Sequence, residues 1–152
     1  MALPNIFTKN VANQLLERLD RLEPTSTAQW GKMNVAQMLA HCNVTYEMAF
    51  ENKHPKPNFF MGLILKAFVK KIVVNETPYK KNAQTAPAFI IADERDFAVE
   101  KDRLIQYLHK TVDLGENYFD GRASLSFGKL SSGEWNNMFY KHIDHHLKQF
   151  GV

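Results

Sequence analysis

A single cysteine, Cys42, among 152 residues leaves no partner for an intramolecular disulfide, so no covalent staple holds this fold. The amino terminus, Met1-Ala2-Leu3-Pro4, lacks the basic and apolar stretches of an export signal. These two absences predict a cytoplasmic protein. Excess charge is scarce as well. Nineteen basic residues against sixteen acidic ones give a formal net charge of +3. That is too small to argue for nucleic acid without a clustered basic patch, and no patch with interleaved aromatics is visible. No apolar run is long and uninterrupted enough to span a bilayer, so no membrane partner is expected. No internal repeat or low-complexity tract breaks the chain. What is present is 45% hydrophobic and 23% charged, an ordinary globular composition. The length fits one domain over residues 1–152. Folding should bury about 68–70% of the unfolded chain's surface, enough for a substantial core.

Four long segments carry helical periodicity. The first runs from Thr8 to Leu22, with Val11, Leu15, Leu19 and Leu22 on one face and Ala12 and Leu16 flanking. Glu23-Pro24 stops it. The second starts at Asn34 as N-cap and runs to Glu51, with Met38, His41, Val44, Thr45 and Met48 in one stripe. The third runs from Asp93 to Val112. Its first turn is acidic, and Phe97, Leu104, Leu108 and Val112 form its stripe, with Ile105 beside it; Gly115 is its stop. Ser131 and Glu134 form a capping box for the last, which ends at Phe150.

Between the second and third helices lies an apolar piece, residues 59–74, interrupted by Lys66, Lys70 and Lys71. It reads as a short buried helix, or one covering the body or a partner subunit; the alternative is a basic amphipathic surface helix. Residues 75–92 show no period and read as a long crossover on the surface, or as a loop bordering a site. Residues 117–130 read as loop. No convincing strand appears, so the predicted fold class is all-α, a four-helix bundle with a short extra helix and a long crossover loop. Such bundles build metal sites from side chains on facing helices.

The last helix contains His142-Ile143-Asp144-His145-His146, three of the six histidines. His142 and His146 are spaced i, i+4, a turn apart on one face. At about 100° per residue, Trp135, Met138, Phe139, His146, Gln149 and Phe150 lie within roughly 80° of His142. Both histidines therefore sit in the apolar stripe. Asp144 and Lys148 lie on the opposite, solvated side, and His145 at the margin. His41 is core-facing on the second helix by the same argument. A buried imidazole must have its nitrogens satisfied. A shared metal ion does this; so do bonds to carbonyls, hydroxyls or water, and the spacing alone leaves both open. Three histidines without a fourth protein ligand would describe a catalytic rather than a structural metal site. A divalent ion there would lower the pKa of a bound water or thiol and polarise a carbonyl.

At these residues the chain resembles the DinB-like (DinB/YfiT) superfamily of four-helix-bundle metalloenzymes. That superfamily has a histidine on its second helix, here in Met38-Leu39-Ala40-His41. It also has a C-terminal motif of the type His-x-x-His-His-Arg-Gly-Gln, here His142-Ile143-Asp144-His145-His146-Leu147-Lys148-Gln149. The resemblance implies metal ligation by His41, His142 and His146. Leu147 and Lys148 depart from the Arg-Gly pair without touching the ligands. Leu130-Ser131-Ser132-Gly133-Glu134-Trp135, Tyr140-Lys141-His142 and the tail Gln149-Phe150-Gly151-Val152 are similar to a bacterial subgroup of unknown function. What the resemblance implies is a metal-dependent enzyme acting on a small molecule, a thiol-dependent S-transferase or a hydrolase. Its cofactor would be a divalent ion, zinc or nickel first, with a low-molecular-weight thiol as cosubstrate and a homodimer as assembly. The alternative is a non-catalytic bundle that binds metal or ligand, or dimerises.

The remaining candidates are weaker. Cys42 points about 100° away from His41 and reads as a packed small residue. His54 and His109 read as surface residues. Gln149, on the stripe after His146, is placed to orient a ligand or to bond ordinarily at the helix end. Glu47 and Asp144 lie off the histidine faces, so the sequence names no general base.

Overall fold

Four side-chain caps set where the long helices begin. The computed structural model describes residues 2–152. Thr8 caps α1, Lys9–Asp20, and Asn34 caps α2, Val35–Phe50. Asn34 Oδ1 accepts from Gln37 N at 2.8 Å, and Gln37 Oε1 accepts in return from Asn34 N at 3.1 Å. A short apolar helix follows in two α-helical pieces, α3 at Phe59–Ile64 and α4 at Lys70–Val74, joined by a π-helical stretch at Leu65–Val69. Asp96 caps α5, Phe97–Phe119, by accepting from Val99 N at 2.9 Å. The Ser131/Glu134 capping box opens α6, Ser132–Gln149.

The fold is all-α apart from a two-residue-per-strand hairpin. Its strands, β1 at Ala123–Ser124 and β2 at Gly128–Lys129, pair antiparallel inside the segment expected to be loop. Helix α2 packs along α5, and α6 touches α1, α2 and α5. Every residue of α2 from Met38 to Tyr46 is buried. The single stripe expected there is therefore too narrow: α5, α6 and a 3-10 turn at Pro87–Phe89 cover it from different sides. A helix covered on all sides is the centre of its fold. Tyr46 stacks between Tyr107 and Phe139, which joins α2, α5 and α6 into one aromatic core.

Three other expectations change. Helix α5 starts at Phe97 rather than Asp93, because the Asp96 side chain caps it by accepting from the Val99 amide. Gly115, at φ +72°, interrupts it where the stop was expected, but the helix resumes to Phe119. The segment 59–74 is not buried: none of its residues is in the core, and its outer face meets solvent. Its carboxyl end is held by α6, where Lys141 Nζ donates to the carbonyls of Ile72 and Asn75 and to Asn75 Oδ1, at 2.7–2.9 Å. Among the described residues no helix is long and apolar enough to cross a membrane.

Candidate metal centre

Helix α2 delivers His41, and α6 delivers His142 and His146. One ring nitrogen from each lies within 4.8 Å of the others. His41 and His146 are buried and His142 partly so. The rings meet at tilted or edge-on angles, with centroids 4.5–4.9 Å apart. The structure thus brings together all three histidines singled out in the sequence.

A hydrogen bond holds the Nδ1 side of each ring. His41 Nδ1 lies 2.7 Å from the Phe89 carbonyl oxygen, which only accepts. His146 Nδ1 lies 2.8 Å from Gln149 Oε1. The orientation of that amide is set on its other side, where Gln149 Nε2 donates to the Trp30 carbonyl at 2.7 Å. His142 Nδ1 bonds the Thr45 hydroxyl at 2.8 Å. The Phe89 and Gln149 oxygens only accept, so His41 and His146 carry Nδ1–H and leave Nε2 free; the Thr45 hydroxyl can donate or accept, so it holds His142 with Nε2 facing His41 under either tautomer. Oxygen partners of this kind are what fixes the tautomer of metal-binding histidines. The Nε2 atoms of His41 and His142 are 2.9 Å apart. Tetrahedral zinc–nitrogen geometry needs about 3.4 Å between ligand atoms. The separations here, from 2.9 Å up to at most 4.8 Å, bracket that value, so small ring rotations would bring the trio into range.

Electrostatics favour the neutral rings a metal requires. Burial holds His41 below the usual imidazole range, with the Phe89 carbonyl opposing it. Burial, then the neighbouring His146 and His41, hold His142 well below that range. Burial brings His146 down to about 3, with His41 adding to the shift and Gln149 opposing it.

Gly31 is part of the support. Its φ of +86° suits glycine, and a Cβ there would stand 2.5 Å from Gln149 Nε2. Phe89 and Tyr79, both in the aperiodic segment 75–92, set their rings against His142, and Phe89 also against His41. Tyr79 also lines a cleft of about 340 Å³ with Pro4, Tyr140, Lys141 and His145.

His145 lies outside the trio, as its angle on the helix implied, between Trp30 and Tyr79. Cys42 is buried beside Met38, and burial pushes its thiol far above the usual range. Asp144 is less solvated than expected, because it pairs with Arg18 of α1 at 2.8 Å as well as with Lys148. His54 is half-buried against Glu47 at 2.8 Å rather than free on the surface, while His109 is exposed. Sequence reasoning gave no role to Thr45, the Phe89 carbonyl or the Trp30-Gly31 turn. Only Thr45 left a signal, at i+4 from His41 on the same face.

The model of the DUF1569 family, described as a protein of unknown function, matches residues 7–151. No curated protein and no solved structure matches the chain. The matched span takes in every helix described above and all three histidines, and the chain belongs to the DUF1569 family.

Proposed function

We propose that this chain is a metal-dependent enzyme of the DinB-like kind, in which α1, α2, α5 and α6 form a four-helix bundle around one divalent ion, zinc or nickel, on His41, His142 and His146. One observation carries the reading. Three buried rings each bond a different protein oxygen through Nδ1 and direct the remaining nitrogen toward the others. Three protein ligands leave coordination positions for a substrate or water.

The reaction proposed is thiol-dependent S-transfer, or hydrolysis, on a small molecule. The ion, when bound, supplies a lowered pKa for a coordinated thiol or water and a polarised carbonyl. The chain's own residues hold and shield. Gln149, Thr45 and the Phe89 carbonyl orient the rings, and Phe89 and Tyr79 cover them; the cleft beside Tyr79, lined by Lys141 and His145 on either side of His142 in the sequence, is the approach proposed. Any thiol must be a cosubstrate, because the Cys42 sulfur is buried and stays protonated.

The second reading is a non-catalytic bundle whose histidines are structural. The 2.9 Å separation of His41 and His142 Nε2 favours it, since one ring donating to the other would satisfy both. Cobalt substitution separates the two. On the enzyme reading, adding low-molecular-weight thiols produces a sulfur-to-metal charge-transfer band. A cobalt-loaded protein whose spectrum no common thiol changes would remove the S-transfer proposal and leave hydrolysis. A protein that takes up no cobalt would favour the structural reading.

A further inference from the structure

Residues 59–74 carry apolar side chains on both faces, and the fold uses only one. Leu65, Val69, Val73 and Val74 turn partly inward, and α4 packs on α6. Phe60, Ile64, Phe68 and Ile72 recur in steps of four on the outside, and Phe59, Met61 and Leu63 are exposed with them. In an α-helix a four-residue step overshoots one turn; the wider π-turn at Leu65–Val69 offsets that drift and keeps the outer stripe in line. Phe59, Phe60 and Phe68 are 84%, 72% and 71% exposed. At about 150–250 Å² per phenylalanine, these three alone match the largest apolar patch of a typical monomer, and the other four enlarge it.

The segment's own charges have one sign. Residues 52–75 contain Lys53, Lys56, Lys66, Lys70 and Lys71 and no acidic residue. Lys53 pairs with Glu51 and Lys70 with Glu134. Lys56, Lys66 and Lys71 form no ion pair among the described residues. Lys66 also lies over Gly128, beside the exposed Lys129 of the hairpin. A second copy seated on this face about a two-fold axis would set lysines against lysines. An anionic surface would meet both the apolar stripe and the lysines.

We propose that the outer face of residues 59–74 lies in the plane of an anionic lipid surface, with the phenylalanines entering the headgroup boundary and the lysines among the headgroups. The segment is too short to span and has the make-up of an interfacial helix: an apolar face, aromatics and lysines. Lys141 and Asn137 of α6 clasp its carboxyl end, so the body sits on the surface in one orientation, with His142 next in sequence to that clasp.

The test is cosedimentation of the full chain with vesicles of phosphatidylcholine alone, and of phosphatidylcholine mixed with phosphatidylglycerol. Binding is expected to the mixed vesicles, and much less to the neutral ones, and to weaken as salt rises. Lys56→Ala and Lys71→Ala should each weaken it by about fivefold. Phe60→Ala combined with Phe68→Ala should abolish it while leaving helicity unchanged. Phe60→Trp should give a blue-shifted emission on mixed vesicles that lipid-borne quenchers reduce. No binding to mixed vesicles, or equal binding to both kinds, overturns the proposal. So does a stable dimer in sedimentation that Phe68→Asp splits, because a second copy would then own the face.

Discussion

Helix α2 carries two polar clusters, and they close differently. One is a set of opposite charges. Arg103 donates to Glu100 at 2.8 Å and to Glu47; Asn43 donates to the Glu100 carboxylate at 2.8 Å; and Glu47 also holds His54. It reaches its charge partners within the chain. The other is His41, His142 and His146, where like groups converge and each has a partner outside the trio for only one nitrogen. A cluster of opposite charges needs no ligand to neutralise it, although here the buried Asn43 amide oxygen has no hydrogen-bond partner. A cluster of like lone pairs is completed by a proton or by a cation, and here burial opposes the proton.

The comparison breaks most clearly at the ligands. Replacing His41, His142 or His146 by Ala should each lower metal affinity by more than about a thousandfold, since two ligands hold an ion far less well than three. Isothermal titration with zinc measures this. His145→Ala should leave the affinity within about threefold, and an equal loss there would show that the trio is wrongly drawn.

Acid should distinguish the clusters next. The three buried rings stay neutral in the folded, metal-free chain, whereas in the unfolded chain they titrate near 6.5. The unfolded state therefore binds more protons as pH falls below 6.5. Stability drops by up to about 1.4 kcal/mol per pH unit for each ring held neutral. For His146 the loss continues down to its folded value of about 3. Glu47 contributes later. Burial pushes its pKa up, but the bonds from Arg103 and His54 outweigh that and hold it below 4.5. Its stabilisation is present above 4.5 and is lost as pH falls through the lowered value. Denaturant melts between pH 6.5 and 5 thus isolate the histidines, and a flat stability across that window would contradict the neutral trio.

Arg103→Ala should cost about 2 kcal/mol by removing one charged donor from the buried Glu100 carboxylate, which keeps Arg95 at 3.4 Å and Asn43 at 2.8 Å, with zinc affinity unchanged. Lost metal binding in a folded Arg103→Ala variant would mean the two clusters are coupled. The smallest effect sharpens the site itself. Gln149→Ala should lower metal affinity about 10–100-fold by freeing His146. Gly31→Ala should act in the same direction, because its Cβ displaces the Gln149 amide.

What the sequence made legible was local. Asn34, Ser131 with Glu134, and Gly115 act on the residues beside them, so caps and a break appear where those residues stand. The faces of His142 and His146 followed from helix geometry alone. The rest depends on distant chain. The Phe89 carbonyl is backbone within an aperiodic segment, and nothing in its side chain marks it as a partner for His41. Lys141 falls off the apolar stripe yet is buried, because three acceptors from residues 72 and 75 surround its ammonium. In residues 59–74 both faces are apolar, so periodicity gave a helix but not the side left uncovered.

The most direct measurement is the metal content of untagged protein purified without chelator, by elemental analysis, followed by zinc or nickel titration of the stripped protein. The account predicts one divalent ion per chain, removed by chelator with a fall in melting temperature and restored on titration. A folded chain that carries no metal and takes up neither ion would contradict it.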